Sequence, residues 1–248
     1  MQRPTAGIVV IGDEILSGKT TDTNTPFLIA ELRSLGVALR EIAVVADGIP
    51  QIAEAVRRLS QRYDYVFTSG GVGPTHDDLT MAGVAAAFDA QVVRHPQLEA
   101  LLREHYAARG TQVVERNLRM AELPEGTTLL TAADLRWPLP VMRNVYILPG
   151  IPEIFRKKFL AVRERFRATP FYLRQIFVRN EEGLIARHLD DIAAKYADVA
   201  LGSYPRLEPA EDGHRVKLTL ESKEQARVEQ ATRELCELLG SEQITALQ

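Results

Sequence analysis

A single cysteine, Cys236, stands among the 248 residues. That count excludes a disulfide within the chain and a thiolate-ligated metal site. Inside the helical pattern RVEQATRELCELLG the thiol reads as a small core-facing hydrophobe. No apolar run reaches the ~18 residues that a membrane span needs, and the opening MQRPTAGIVVIGDE lacks the long apolar core of a signal peptide. A cytoplasmic location and no membrane partner are therefore expected. Net charge is slight, at -3 with a pI near 6.0, which argues against nucleic acid as the main partner. Repeats and low-complexity tracts are missing. What is present is ordinary for a globular chain, with 46% hydrophobic and 25% charged residues. A chain of this length buries roughly 70–75% of its unfolded surface and needs no staple to fold.

Strand-like and helix-like segments alternate from the start. GIVVI (7–11) is a continuous apolar run rich in β-branched residues, the pattern of a strand buried on both faces. TPFLIAELRSLG (25–36) predicts a helix, with Pro26 in its first turn and Gly36 as its stop. EIAVVAD (41–47) predicts a second buried strand, 49–63 a helix, YVFTS (65–69) a third strand and 78–90 a third helix. Helices over 95–110 and 151–166 and a strand over 143–150 follow. This succession implies an α/β fold, a three-layer sandwich around a mostly parallel sheet, over residues 1–170. Residues 171–248 read as a separate small βαββα domain, with EPAEDG (208–213) turning a hairpin between its last two strands.

Polar residues collect where apolar strands end. GIVVI runs into Asp13 and Glu14, EIAVVA into Asp47, and YVFTS into Ser69-Gly70-Gly71-Val72-Gly73 followed by Asp77 and Asp78. In an open parallel sheet, ligands bind outside the carboxyl ends of the strands where strand order reverses. The glycines can turn backbone N–H groups toward one anion, and a helix beginning near Asp78 adds the positive end of its dipole. The plainer alternative is a tight turn with Asp77 or Asp78 as N-cap. Familiar nucleotide motifs fail on spacing. Gly12 and Gly18 bracket five residues where a P-loop has four, and His76 stands where the dinucleotide fingerprint needs its last glycine.

An anion cradle beside two acids is coherent if a divalent cation lies between phosphate and carboxylate, since a hard cation takes one or two carboxylates plus substrate oxygens. Asp77 and Asp78, with Asp13, Glu14 or Asp47, fit such a metal–phosphate site. His76 reads as polar surface, ligand or general base; His95, His105, His188 and His214 read as surface or helix-end residues. The loop SGKTTDTNT (17–25) has two readings: N-capping by Thr25, or contacts to a ligand's hydroxyl and amide groups, with Lys19 offsetting phosphate charge.

IGDEILSGKTTDTN, TSGGVGPTHDDLT, NLRMAELPEG (117–126), VYILPGIPEIF (145–155), LGSYP (201–205) and VKLTLE (216–221) together resemble the competence/damage-inducible protein A family. They look closer still to the N-terminal molybdopterin-binding-like domain of eukaryotic FAD synthases. The resemblance implies the fold of the molybdopterin-binding enzymes with a small KH-like α+β appendage. It implies metal-dependent hydrolysis of a nucleotide pyrophosphate, ADP-ribose or FAD, releasing AMP with Mg²⁺, Mn²⁺ or Co²⁺. The alternative it implies is binding of molybdopterin or its adenylyl form without hydrolysis. The essential aspartate of the pterin enzymes falls on Asp78 and a further acid on Asp47. Asp77 departs from their pattern, which has a basic residue there, and favours the metal-dependent reaction. The expected ligand set is Gly12, Lys19, Asn24, Ser69, Gly70, Gly71, Val72, Gly73, Thr75, Pro149 and Gly150. Asp78, Asp77 and Asp47 are the expected catalytic acids, and Asp78, Asp77, Asp13 and Glu14 the expected metal ligands. The chain stops before the amidase domain of longer members, so nicotinamide-nucleotide deamidation is not expected. The appendage lacks a Gly-x-x-Gly loop, so RNA binding is not expected; pairing of two chains into a dimer, or closure over the site, is.

Overall fold

A computed structural model describes residues 4–133 and 135–248; Met1–Arg3 of the segment read for a signal peptide lie outside the described residues. The chain divides into two compact units, split after Ala168. No helix among the described residues is long and apolar enough to cross a membrane.

The first unit runs β1 (Thr5–Ile11), α1 (Asp13–Leu16), α2 (Asn24–Ser34), β2 (Ala38–Val45), α3 (Ile49–Arg62), β3 (Tyr65–Ser69) and α4 (Thr80–Ala87). It continues with β4 (Val92–Arg94), α5 (Pro96–Ala107), α6 (Glu115–Leu118), β5 (Glu122–Pro124), β6 (Thr128–Leu130), β7 (Leu139–Met142), β8 (Val145–Leu148) and α7 (Pro152–Val162). The main sheet has the order β2-β1-β3-β8-β7-β6. β2, β1, β3 and β8 are mutually parallel, while β7 pairs antiparallel with β8 and β6 antiparallel with β7.

Alternation along β1 divides the core. Ile8 and Val10 face Leu28, Leu32, Phe155 and Phe159 of α2 and α7, whereas Val9 and Ile11 face Ile52, Val56 and Val84 of α3 and α4. Two apolar faces on one strand need a helical layer on each side, which is why GIVVI is continuous rather than alternating. The α2/α7 layer is locked by aromatics: Phe67 and Phe159 meet edge to face at 5.7 Å, and Phe159 stacks on Phe166 at 5.7 Å. Such pairs contribute about 0.5–1.5 kcal/mol each beyond area burial.

EIAVVAD departs from its expectation. β2 is an edge strand covered on one face only, leaving Ile42 and Val44 44% and 42% exposed. The expected strand over 143–150 begins late, because Arg143 (φ +54) and Asn144 form the β7–β8 turn. Asn144 is held there by donating to the carbonyls of Ser60 and Tyr63. Between α4 and β8 the sequence suggested only the helix α5. The structure adds β4 to β7, with a small core of Leu98, Leu102, Leu118, Ala121 and Leu123.

The second unit comprises β9 (Tyr172–Val178), α8 (Glu182–Lys195), β10 (Ala200–Pro205), β11 (Val216–Ser222), α9 (Gln225–Leu239) and β12 (Ile244–Leu247). Its sheet is antiparallel in the order β10-β11-β9-β12. The expected βαββα succession is extended by β12, giving a split βαβ arrangement. β12 is fastened by reciprocal bonds between Gln175 and Gln248, at 2.8 and 2.9 Å. Cys236 packs against this unit's core, whose burial raises its pKa.

α3 and α4 approach most closely at Gly83, where a Cβ would lie 2.3 Å from Ile52 Cγ2. Overpacking costs about 1–3 kcal/mol, against the ~1 kcal/mol that alanine gains over glycine within a helix. Gly83→Ala is therefore expected to lose up to about 2 kcal/mol in urea unfolding. Combining it with Ile52→Ala should cost less than the sum of the two single changes; strict additivity would refute the contact.

Candidate functional site

The chain passes from β1 to β2 on one side and then to β3 on the other, so strand order reverses at β1. Because β2, β1, β3 and β8 are parallel, their carboxyl ends share one edge of the sheet. Gly12 N–H, just past β1, donates to the Val45 carbonyl at 3.2 Å, and Asp13 N–H to Asp47 Oδ2 at 2.8 Å. Gly70 N–H donates to the Leu148 carbonyl at 3.4 Å. Gly70 adopts φ +106, and a Cβ there would stand 2.1 Å from the Ile11 carbonyl oxygen. Only glycine satisfies both the conformation and the approach.

Thr80, fully buried, secures the glycine turn from behind: its hydroxyl donates to the Gly70 carbonyl at 2.7 Å and its N–H to that of Gly71 at 3.1 Å. Among the described residues, no group accepts from the N–H groups of Gly71, Val72 and Gly73, leaving three consecutive donors on the turn. Runs of unpaired N–H groups of this kind favour anions.

Asn24 joins three loops. Its side chain, 4% exposed, donates to Ser69 Oγ at 3.0 Å and to the Gly150 carbonyl at 2.8 Å. Asn24 Oδ1 and the Thr25 hydroxyl are buried and have no protein partner. The cap of α2 is neither of these residues: Asp22 Oδ1 accepts from the N–H groups of Asn24 and Thr25 at 2.9 and 3.1 Å. This replaces the expected capping by Thr25, because Asp22, three residues ahead of it, reaches the orphan N–H groups without being buried itself.

The acids fall into two groups. Asp13, Glu14 and Asp77 all act electrostatically on Asp47, whose pKa is raised first by burial and then by those charges, against the Asp13 N–H bond. Asp78 is engaged by Thr75. Its Oδ2 accepts from the Thr75 N–H at 2.8 Å and from the Thr75 hydroxyl, and its carboxylate lies where a Cβ on Gly73 would meet it at 2.5 Å. Neither Asp77 nor Asp78 caps α4, which begins only at Thr80 with no side-chain cap. Asp78, Asp77, Asp13 and Glu14 do not close into one cage. Among the described residues, no three His, Cys, Asp or Glu side chains are disposed to hold a metal ion. Like charges at the ends of separate strands stay apart unless something positive lies between them.

Three cavities open around the turn. A polar one of about 120 Å³ includes Glu14, Thr20, Asn24, Ser69, Gly70 and Gly150. A second, also about 120 Å³, is bordered by Gly71, Val72, Gly73, Asp78, Arg119 and Glu122. The third, about 310 Å³ and apolar, shares Val72 and Gly73 with the second and takes in Pro149 and Lys158. Lys19 is exposed and borders none of them, and Thr75 is engaged with Asp78. His76 is 96% exposed, 3.8 Å from Asp77, and reads as polar surface. His105 and His214, expected at the surface, are half-buried against Trp137 and Phe177. A further cavity of about 420 Å³ near Arg57 and Arg143 lies beside the β7–β8 turn, away from the strand ends. Arg57 there is committed to the carbonyls of Ala86 and Ala87.

Arg119 is the residue that the sequence reading missed. It is exposed, forms no ion pair among the described residues, and borders the same cavity as Gly71, Val72 and Gly73. Its signal was the segment NLRMAELPEG, whose lone arginine beside apolar residues has no helical periodicity to explain it.

Comparisons with known proteins agree along the chain. Residues 7–167 match the family described as probable molybdopterin binding domain, and residues 170–248 the one described as FAD synthase, middle domain. The chain is 36% identical, over 96% of its length, to a probable FAD synthase of Caenorhabditis elegans and spans 50% of that relative. It is 35% identical over 65% of its length to a CinA-like protein of Myxococcus xanthus, spanning 40% of it. A solved structure of the protein CinA, of unknown function, from Thermoplasma acidophilum superposes with a TM-score of 0.60 at 28% identity. That match covers 66% of this chain and 99% of the other.

Asp47 yields a pH-dependent prediction. A carboxyl whose folded pKa is raised contributes stability only below its unfolded pKa, and loses it as pH rises through the folded value. Asp47→Asn is expected to raise Tm at pH 7, with the gain disappearing as the pH falls below the carboxylate range. An equal gain at both pH values would show that burial and neighbouring charge are not the cause.

Proposed function

The chain belongs to the molybdopterin-binding domain family, and from that premise we propose that it hydrolyses a nucleotide pyrophosphate, ADP-ribose or FAD, to AMP and a second phosphorylated product, with the help of a divalent cation (Mg²⁺, Mn²⁺ or Co²⁺). The chain spans about half the length of the Caenorhabditis FAD synthases it matches, and a middle domain of FAD synthase type follows its first unit. The observation that carries the reading is the glycine turn at the end of β3, with three unpaired N–H groups between carboxylates and an unpaired arginine.

In this reading Gly71, Val72 and Gly73 hold phosphoryl oxygens, and Arg119 offers a forked guanidinium to the same group. Asp78, with Oδ2 occupied by Thr75, keeps Oδ1 for a cation; Asp77 and Asp13 or Glu14 are the other oxygen donors within the turn's surroundings. Since no three of them converge, the substrate's phosphate oxygens would complete the ion's shell, as Mg²⁺-type sites commonly require. A bound cation would draw charge from the substrate's phosphate oxygens. One water adds across the P–O–P linkage, one phosphate leaving as AMP. Asp47 positions Asp13 through its N–H and leaves its other oxygen for a ribose hydroxyl.

A second reading, binding of molybdopterin or adenylyl-molybdopterin without hydrolysis, is supported by the family description for residues 7–167 and by the open carboxylate arrangement. AMP release from FAD and ADP-ribose, measured with each of the three cations, separates the two. Asp78→Asn is expected to lower kcat/KM by about 100-fold or more, with circular dichroism unchanged. Undiminished turnover ends the assignment, and tight pterin binding with no AMP release favours the second reading. Arg119→Gln is expected to raise KM by roughly 10- to 100-fold, the loss of a charge-assisted hydrogen bond.

A further inference from the structure

At the opposite edge of the sheet from the glycine turn, the cavity of about 420 Å³ lies among the last turn of α3, the end of α4 and the β7–β8 turn. The carboxyl ends of two helices would ordinarily attract cations, but here their carbonyls are already taken. Arg57 donates through Nε to the Ala87 carbonyl at 3.0 Å and through Nη2 to that of Ala86 at 2.7 Å. The Asn144 amide donates to the carbonyls of Ser60 and Tyr63, at 3.0 and 2.9 Å, and the N–H groups of Phe88 and Ala90 donate to that of Ala85. The Ser60 hydroxyl donates to Asn144 Oδ1 at 2.5 Å.

What these bonds leave over is chiefly N–H donors and positive charge. Arg57 keeps its Nη1 hydrogens, and the Arg143 guanidinium has no acceptor among the described residues. The one carboxylate of the lining, Asp89, stands 3.6 Å from Arg57 Nη2 and is 93% exposed, so water screens it. Two guanidiniums against one solvated carboxylate give the cavity wall a surplus of positive charge.

Capping of α4 accounts for Arg57, but the hairpin itself does not ask for arginine at 143. Arg143 adopts φ +54, a conformation that glycine takes freely and that hairpin turns usually reserve for it. Its guanidinium lies over the ring of Phe88, 4.5 Å from the centroid. A planar cation seated in this way keeps its edge for hydrogen bonds and its far face for a second ring. The volume falls within the ~300–1,000 Å³ of small-molecule sites, more room than a bare phosphate group fills. A monocarboxylate would leave one guanidinium without a counter-charge. A phosphate monoester, at about −1.5 to −2 near neutral pH, answers both and accepts several N–H bonds.

We propose that this cavity is a second ligand site, for a phosphate monoester that carries a planar ring, such as a nucleoside monophosphate: Arg57 Nη1 and Arg143 donate to the phosphate, and the ring stacks on the far face of the Arg143 guanidinium. The site goes beyond the pyrophosphate reading and does not depend on it, since none of its residues borders the cavities around the glycine turn.

Calorimetric titration of the full chain with AMP, ribose 5-phosphate and adenosine, without added metal, tests the site. Saturable binding of AMP is expected, weaker for ribose 5-phosphate and weakest for adenosine. Arg143→Gly is expected to weaken AMP binding by about tenfold or more, the loss of charge-assisted hydrogen bonds, with no fall in Tm because glycine suits the turn. Asp89→Asn is expected to act in the opposite direction and tighten binding by about two- to fivefold, as removal of one screened charge should. Loss in one variant with gain in the other is a pattern that misfolding does not produce. Absence of saturable AMP binding, or binding that both variants leave unchanged, would overturn the proposal. So would AMP binding that disappears in Arg119→Gln and not in Arg143→Gly, which belongs to the glycine turn. Equal affinity for AMP and ribose 5-phosphate would overturn the stacked ring.

Discussion

Main-chain crowding at the carboxyl edge of the parallel sheet is the constraint from which the site's geometry follows. Gly70 lies against the Ile11 carbonyl so closely that no side chain fits between β1 and β3 at that level. The loop after β8 arrives at the same place, where Asn24 ties the Gly150 carbonyl to Ser69. Three loops are thereby pinned by short, buried contacts, and the segment from Gly71 to Gly73 is pushed outward with its N–H groups unsatisfied. Rigid support behind unpaired donors is what a binding turn requires, because the ordering cost is met at folding rather than on encounter with a ligand.

That arrangement explains why a turn suited to anions carries carboxylates. The acids do not occupy the cradle. Asp78 is folded back on Thr75, and Asp13, Glu14 and Asp77 act electrostatically on Asp47. Positive charge is supplied from elsewhere, by Arg119 in the excursion between α4 and β8.

What was legible in the sequence was what depends on local pattern. Continuous β-branched runs gave β1 and β3, since a strand buried on both faces has no polar alternation to confuse it. Prolines in first turns marked α5 and α7. β2 was misjudged because Ile42 and Val44 are apolar yet uncovered, and hydrophobicity alone does not say which face has a helix on it. β4, β5 and β6 are three residues each, too short for any periodicity, and β12 owes its conformation to pairing with β9 rather than to its own residues. At the site, glycines and acids advertised themselves by residue type. Arg119 and Thr80 did not, because their placement is long-range: a buried hydroxyl under a turn, and an exposed guanidinium bordering the same cavity as residues nearly fifty positions earlier.

The close approach at Gly70 also channels how such a protein can diverge. Position 70 is closed to every side chain by main-chain atoms that cannot step aside, and Thr80 is held in place by the carbonyl it supports. Val72 and Pro74, by contrast, are only partly buried and border the apolar cavity. Change compatible with the fold is thus directed to side chains such as these, while the glycine turn behind them stays fixed.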